Sequence, residues 1–150
     1  MKLYILRHGT AERWLNDSMD FDRQLTDFGV AQIEQLVPQW RTAMASIETW
    51  VSPYQRTQQT AKVLLGAEAS FQTTRLITPE ASLVNLLNLL PEQKQDLLLV
   101  SHQPLVSSLV AKLSGLSPYD CPMSPASLAV LEGDVMAAAC MELRSLNHSV

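Results

Sequence analysis

Hydrophobic positions along the chain fall into short runs and longer stripes whose period switches repeatedly. Residues 3–6 (Leu-Tyr-Ile-Leu) form an unbroken apolar run that stops at Arg7-His8, the pattern of a strand buried on both faces. Residues 10–24 are polar, Asp-rich and without period, and read as a loop. Val30, Ile33, Val37, Trp40 and Met44 then recur at spacings of three and four, the stripe of an amphipathic helix with Thr26 as its N-cap. Pro38 lies inside that stripe and should kink it or restart it as a new first turn. Residues 47–51 make a second strand. Ser52-Pro53 reads as an N-cap followed by proline at the first helical position, opening a helix over about 54–65 that Gly66 ends.

The second half repeats the alternation. A weak strand is expected at 70–73, and Ser82 caps a helix that turns Leu83, Leu86, Leu87 and Leu90 to one side before Pro91. Residues 97–100 form the next buried strand. Pro104 opens a helix with Leu105, Val106, Leu109, Val110 and Leu113 inward, closing at Gly115. Two strand-like runs, 127–131 and 136–141, flank Gly133-Asp134, a pair suited to a hairpin turn. Strands alternating with helices predict an α/β fold: a three-layer αβα sandwich with a mostly parallel central sheet. In such sheets the ligand site lies beyond the carboxyl ends of the strands.

Composition narrows this picture. With 150 residues, 47% hydrophobic and 17% charged, and no internal repeat or linker, the chain is expected to fold as a single domain, 1–150, around one core. A net charge of −4 argues against nucleic-acid binding, which needs clustered Lys and Arg. Cys121 and Cys140 show no metal-ligand spacing and are expected as buried or partly buried thiols in a reducing compartment. The opening apolar run is too short for a signal-peptide core, and no run approaches the ~18 apolar residues of a membrane span. The expectation is a soluble, cytoplasmic protein with no membrane association.

Three strand ends carry the chemistry. The first ends in Arg7-His8-Gly9-Thr10, the second in the segment holding Ser52, Arg56 and Thr60, and the strand through Val100 in Ser101-His102-Gln103-Pro104. The fold sends all three to one edge of the sheet. Two arginines and two histidines gathered there are costly unless an anion sits among them, and a phosphoryl group fits, because guanidinium forks pair bidentately with its oxygens. Gly9, lacking a Cβ, would let the backbone turn tightly and approach the phosphate. Ser52, Arg56 and Thr60 are four apart, so the two hydroxyls could brace Arg56. Alone, Arg56 reads as a solvated helix residue and His102 as a hydrogen-bonded histidine at a helix start; the joint arrangement gives them their meaning. A metal site fails on ligand count, since the remaining histidine, His148, lies in the tail and is expected at the surface. No metal or other cofactor is expected.

These segments, in this order, resemble the signatures of the histidine phosphatase (phosphoglycerate mutase-like) superfamily, across nearly the whole chain. The resemblance implies that His8 is transiently phosphorylated and that Arg7, Arg56 and His102 form the phosphate pocket. Residues 2–9, Arg23-Gln24-Leu25-Thr26 with Gly29, and 101–106 are most similar to the short bacterial phosphohistidine phosphatases of the SixA type. Residues 66–95 are too few for the helical lid that family members acting on small metabolites insert there. The implied substrate is therefore phosphohistidine on a protein, in a phosphorelay domain or phosphotransfer carrier. Glu80 resembles the carboxylic acid that larger relatives use to protonate an alcohol leaving group, but lacks their flanking residues. Thr10 and Arg23 are further candidates for substrate contact. The arginines should keep His8 unprotonated, as a nucleophile requires. A small-molecule phosphomonoesterase and a phosphoprotein-binding module without turnover stand as alternatives, and the oligomeric state is left open.

Overall fold

Strand β1 (Lys2–Arg7) runs through the interior of a six-stranded sheet in the computed structural model, which describes residues 1–14 and 19–148. The other strands are β2 (Glu48–Val51), β3 (Gln72–Thr73), β4 (Leu97–Ser101), β5 (Leu128–Glu132) and β6 (Glu142–Asn147), in the order β3-β2-β4-β1-β5-β6. The first four are parallel neighbours, and β5 and β6 close one side as antiparallel strands. This is the expected α/β sandwich with a mostly parallel sheet.

The period of two along the buried strands divides the core into two layers. Leu3, Ile5, Leu97 and Leu99 face one layer with helices α4 (Leu83–Leu89) and α5 (Leu105–Ser114). Tyr4, Leu6, Leu98 and Val100 face the other with α1 (Asp27–Glu34), α2 (Val37–Met44) and α3 (Gln55–Leu65). Each leucine taken fully out of water in these layers stabilises the fold by about 1.5–3 kcal/mol. The central strands therefore hold the site rigidly, since every one of their apolar residues is committed to a layer.

The layering also positions the pocket. β1 and β4 are adjacent and parallel, yet β1 leads to α1 on one face and β4 to α5 on the other. Their chain exits diverge, and a crevice opens between them at the carboxyl ends, as expected at a point where the winding reverses. Between β3 and β4 the one α-helix, α4, sinks Leu86 into the core, and Leu90 just after it is equally buried. No lid is built from this segment.

Local signals were read well where a cap or breaker acts. Thr26 accepts a bond from the Gly29 N–H, and Pro38 restarts the chain as α2. Gly66 ends α3 at φ 105° and Gly115 ends α5 in the left-handed region. Two expectations are corrected. The N-cap of α3 is Tyr54 and not Ser52, because the Ser52 side chain turns to His102. The sixth strand is Glu142–Asn147 and not 136–141; Met136 and Met141 instead bury themselves as plugs in the core, anchored by N–H bonds from Ala139 and Met141 to the Lys112 and Leu113 carbonyls of α5. Cys121 is buried as expected, but Cys140, within that plug segment, is exposed.

Gly9 and Gly29 allow a close backbone approach between the loop after β1 and α1. A Cβ on Gly9 would lie 2.7 Å from the Gly29 carbonyl oxygen, and one on Gly29 would lie 2.1 Å from that of Thr10. The missing side chains let α1 press against the loop that follows β1, and neither glycine adopts positive φ. Gly29→Ala is expected to lower stability by about 1–3 kcal/mol or more, because both colliding groups are backbone. Urea unfolding checks this, and an unchanged midpoint would contradict it.

Candidate active site

The β-ladders extend one step past the strands and fix the three functional turns against each other. The His8 N–H donates to the Ser101 carbonyl at 3.1 Å, and the Ser52 N–H to that of Val100 at 3.1 Å. Arg7 pairs with Ser101 in register. His8, Ser52 and His102 thus lie side by side, 8%, 0% and 2% exposed. The His8 and His102 rings meet edge to face with centroids 5.1 Å apart.

Hydrogen bonding decides which His8 nitrogen is free. Nδ1 lies 2.7 Å from the Gly9 carbonyl oxygen, which can only accept, so Nδ1 carries the proton. Nε2 is left with its lone pair and accepts a bond from Arg56 Nε at 3.3 Å. Burial pushes the His8 pKa down; the Gly9 carbonyl opposes this, and Arg56, Arg7 and Arg23 reinforce it, to about 4. His102 is lowered further, to about 2, by burial and then by His8, Arg56, Arg7 and Arg23. Both rings are neutral at physiological pH.

The arginines reach this point from three elements. Arg56, in the first turn of α3, donates through Nη1 to the Asp20 carbonyl at 2.9 Å and pairs through Nη2 with the Asp20 carboxylate at 3.4 Å. Arg23 grips the other oxygen of that carboxylate at 2.9 Å and the Glu12 carbonyl at 2.6 Å. Arg7 donates to the Met123 carbonyl at 2.9 Å. Two buried nitrogens, Arg7 Nε and His102 Nδ1, have no partner among the described residues. Leaving such groups unpaired costs about 1–3 kcal/mol each.

Supporting contacts differ in part from the sequence reading. Thr60 does brace the arm: its hydroxyl donates to the Arg56 carbonyl at 2.7 Å and receives the Gly9 N–H at 3.2 Å. Ser52 does not brace Arg56; its hydroxyl lies 2.8 Å from His102 Nε2 and sets that ring. The Thr10 hydroxyl is engaged by Gln32 at 2.9 Å. Glu80 is exposed and accepts the Tyr54 hydroxyl at 3.3 Å. His148 is exposed, as expected of a tail residue, although its ring meets the Ser127 hydroxyl at 3.0 Å. Among the described residues, no three or more His, Cys, Asp and Glu side chains gather as a metal site.

Sequence reasoning missed Asp20 and Tyr54. Asp20 sits in a short 3₁₀ turn, Asp20–Asp22, inside a loop that lacks period, so only charge balance around Arg56 could have found it. The part of that loop at 15–18 lies outside the described residues. Tyr54 carries the Arg56 guanidinium over its ring at 5.0 Å and packs against His102.

Residues 3–77 match the model of the histidine phosphatase superfamily (branch 1), and they include His8, Arg7 and Arg56. The chain belongs to the histidine phosphatase superfamily. It is 34% identical over 131 residues to the phosphohistidine phosphatase SixA homolog of Haemophilus influenzae, covering 77% of this chain and 78% of that protein. Its fold matches the structure of the protein histidine phosphatase SixA complexed with tungstate, with TM-score 0.79, 26% identity, and 99% and 97% of the two chains covered. It also superimposes on a SixA protein of Agrobacterium tumefaciens with TM-score 0.80, at 21% identity and 97% and 96% coverage. The chain is therefore a phosphatase, a hydrolase of the superfamily that works through a phosphohistidine intermediate. No described helix is long and apolar enough to cross a membrane.

The two neutral histidines have a consequence for stability. Each is unprotonated in the folded state well below its ordinary pKa of 6.5. Between pH 6.5 and about 4 the unfolded chain binds protons that the folded chain refuses, so stability falls with acidification. The loss from about pH 7 to about pH 4.5 should be on the order of 5 kcal/mol for the two rings together, and about half that in His8→Gln. Urea titrations at both pH values measure it; equal stability at the two would contradict the burial of neutral rings.

Proposed function

We propose that the protein hydrolyses phosphohistidine carried by another protein, with His8 as nucleophile. The observation that carries this reading is the fixed tautomer of His8, which presents Nε2 beside Arg56. In the first step the Nε2 lone pair forms a bond to phosphorus while the P–N bond of the substrate breaks. That electron pair returns to the substrate imidazole, which takes a proton from water. The proton stays on Nδ1, donated to the Gly9 carbonyl, whose oxygen steadies the positive charge that the His8 ring acquires. In the second step water attacks phosphorus, inorganic phosphate leaves, and Nε2 regains its lone pair. Arg7, Arg56 and His102 donate to the phosphoryl oxygens, where fixed donors lower the barrier most. Gly9 keeps the loop close and Thr10 anchors it to Gln32. Arg23 acts on the substrate through the field it shares with Arg56.

The substrate class follows from the proton. An alcohol leaving group needs a positioned acid. Desolvation raises the Asp20 pKa, but Arg23 and Arg56 outweigh it and hold that carboxyl below the usual range, so Asp20 stays ionised. Glu80 is exposed and held by Tyr54. A leaving imidazole, with its ordinary pKa near 6.5, takes a proton from water without such an acid. The relatives named for phosphohistidine phosphatase activity support the same choice. A phosphorelay domain or phosphotransfer carrier is the kind of partner this open pocket would receive, in the cytoplasm.

Turnover of a phosphohistidine peptide should exceed that of a sugar phosphate in kcat/KM, and the reverse order would overturn the substrate assignment. His8→Ala should lose at least about 10³-fold in kcat. Rapid-quench labelling should trap an acid-labile phosphoryl group in the wild type and none in the variant. A wild type that binds phosphohistidine without labelling would instead mark a binding module.

A further inference from the structure

We propose that Phe21 and Tyr54 form the leaving-group subsite, an aromatic wall that holds the imidazole ring of the substrate as it departs. The proposal rests on the phosphohistidine reading above and deepens it. In-line transfer to His8 Nε2 places the departing nitrogen on the side of phosphorus away from His8. The rings form a continuous path outward from the nucleophile. His8 meets His102, His102 meets Tyr54 and Tyr54 meets Phe21, each pair with centroids 5.1 Å apart. The inner two are 8% and 2% exposed, whereas Phe21 is 38% exposed. The path therefore leads from the buried nucleophile to solvent.

Tyr54 is held from several directions, which makes it a surface and not a loose side chain. The Arg56 guanidinium lies over its ring at 5.0 Å, and its hydroxyl is tethered to Glu80 at 3.3 Å. The other groups gathered here are arginines and the Asp20 carboxylate, so these rings are the element suited to a flat, weakly polar group. An imidazole offers an aromatic face or edge to such a wall, worth a few-fold in rate for each ring pair. A sugar hydroxyl or ammonia has none. Phe21 and Tyr54 are thus specificity-determining residues; neither is assigned a covalent or proton-transfer role.

The test compares two substrates with the same scissile P–N bond: a phosphohistidine peptide, and phosphoramidate, whose leaving group is ammonia. The readout is the ratio of their kcat/KM values in the wild type, Tyr54→Leu, Phe21→Leu and Tyr54→Phe. The ratio should fall about 3–10-fold in each leucine variant and hold in Tyr54→Phe, which keeps the ring and loses only the Glu80 tether. Phe21→Leu carries the test if Tyr54→Leu fails to fold, because Phe21 lies at the surface. A ratio within about twofold of wild type in the leucine variants that fold, or an equal fall in Tyr54→Phe, would overturn the subsite. A wild type that turns over the peptide with no change of ratio in the variants defeats the subsite alone. A wild type inactive on the peptide but active on phosphate esters defeats the phosphohistidine reading itself.

Discussion

A buried imidazole beside three arginines stays neutral, and the short contact between His8 Nδ1 and the Gly9 carbonyl turns that neutrality into a direction. Burial and the guanidinium charges remove the second proton from the ring. The carbonyl, 2.7 Å away, claims the one that remains. A ring turned over would present an N–H where the proposed mechanism needs a lone pair. The rest of the structure can be traced to holding Gly9 where it does this. Its N–H is held by Thr60 from α3, its Cα face is pressed by Gly29 from α1, and the His8 N–H is tied to β4.

Charge within the pocket is arranged so that the cations stay available yet are never bare. Asp20 spans Arg56 and Arg23 and holds both in place. In the proposed reaction the phosphoryl group shares Arg56 with that carboxylate. Opposing charge fixes the geometry in advance, so less reorganisation is left for the moment of reaction. The ring path through Tyr54 gives the same pocket one weakly polar side.

Most of the fold was legible because its signals are local. Continuous apolar runs at β1 and β4, the Thr26 cap and the Gly66 and Gly115 stops each act within a few residues. Where tertiary packing decides, the sequence misled. Met136 and Met141 read as strand residues but serve as core plugs, because the space beside α5 needs filling and β6 follows immediately after. Ser52 looked like a cap because Ser-Pro has that local form, whereas the neighbouring strand end brings His102 within 2.8 Å of its hydroxyl. Arg7, His8, Arg56 and His102 were found because they stand at a strand's last residue, one step past a strand, or in a first helical turn. Asp20 and Tyr54 were not, since their roles exist only through tertiary contacts: Asp20 with Arg56 and Arg23, Tyr54 with Arg56, His102 and Phe21.

Nitrogen NMR of the resting enzyme, labelled in its histidine rings, tests the central claim most directly. At about pH 5.5, where a free histidine is mostly charged, His8 should show a neutral ring with the proton on Nδ1 and a pyridine-like Nε2. An imidazolium signal for His8 at that pH, or a neutral ring protonated at Nε2, would contradict the account.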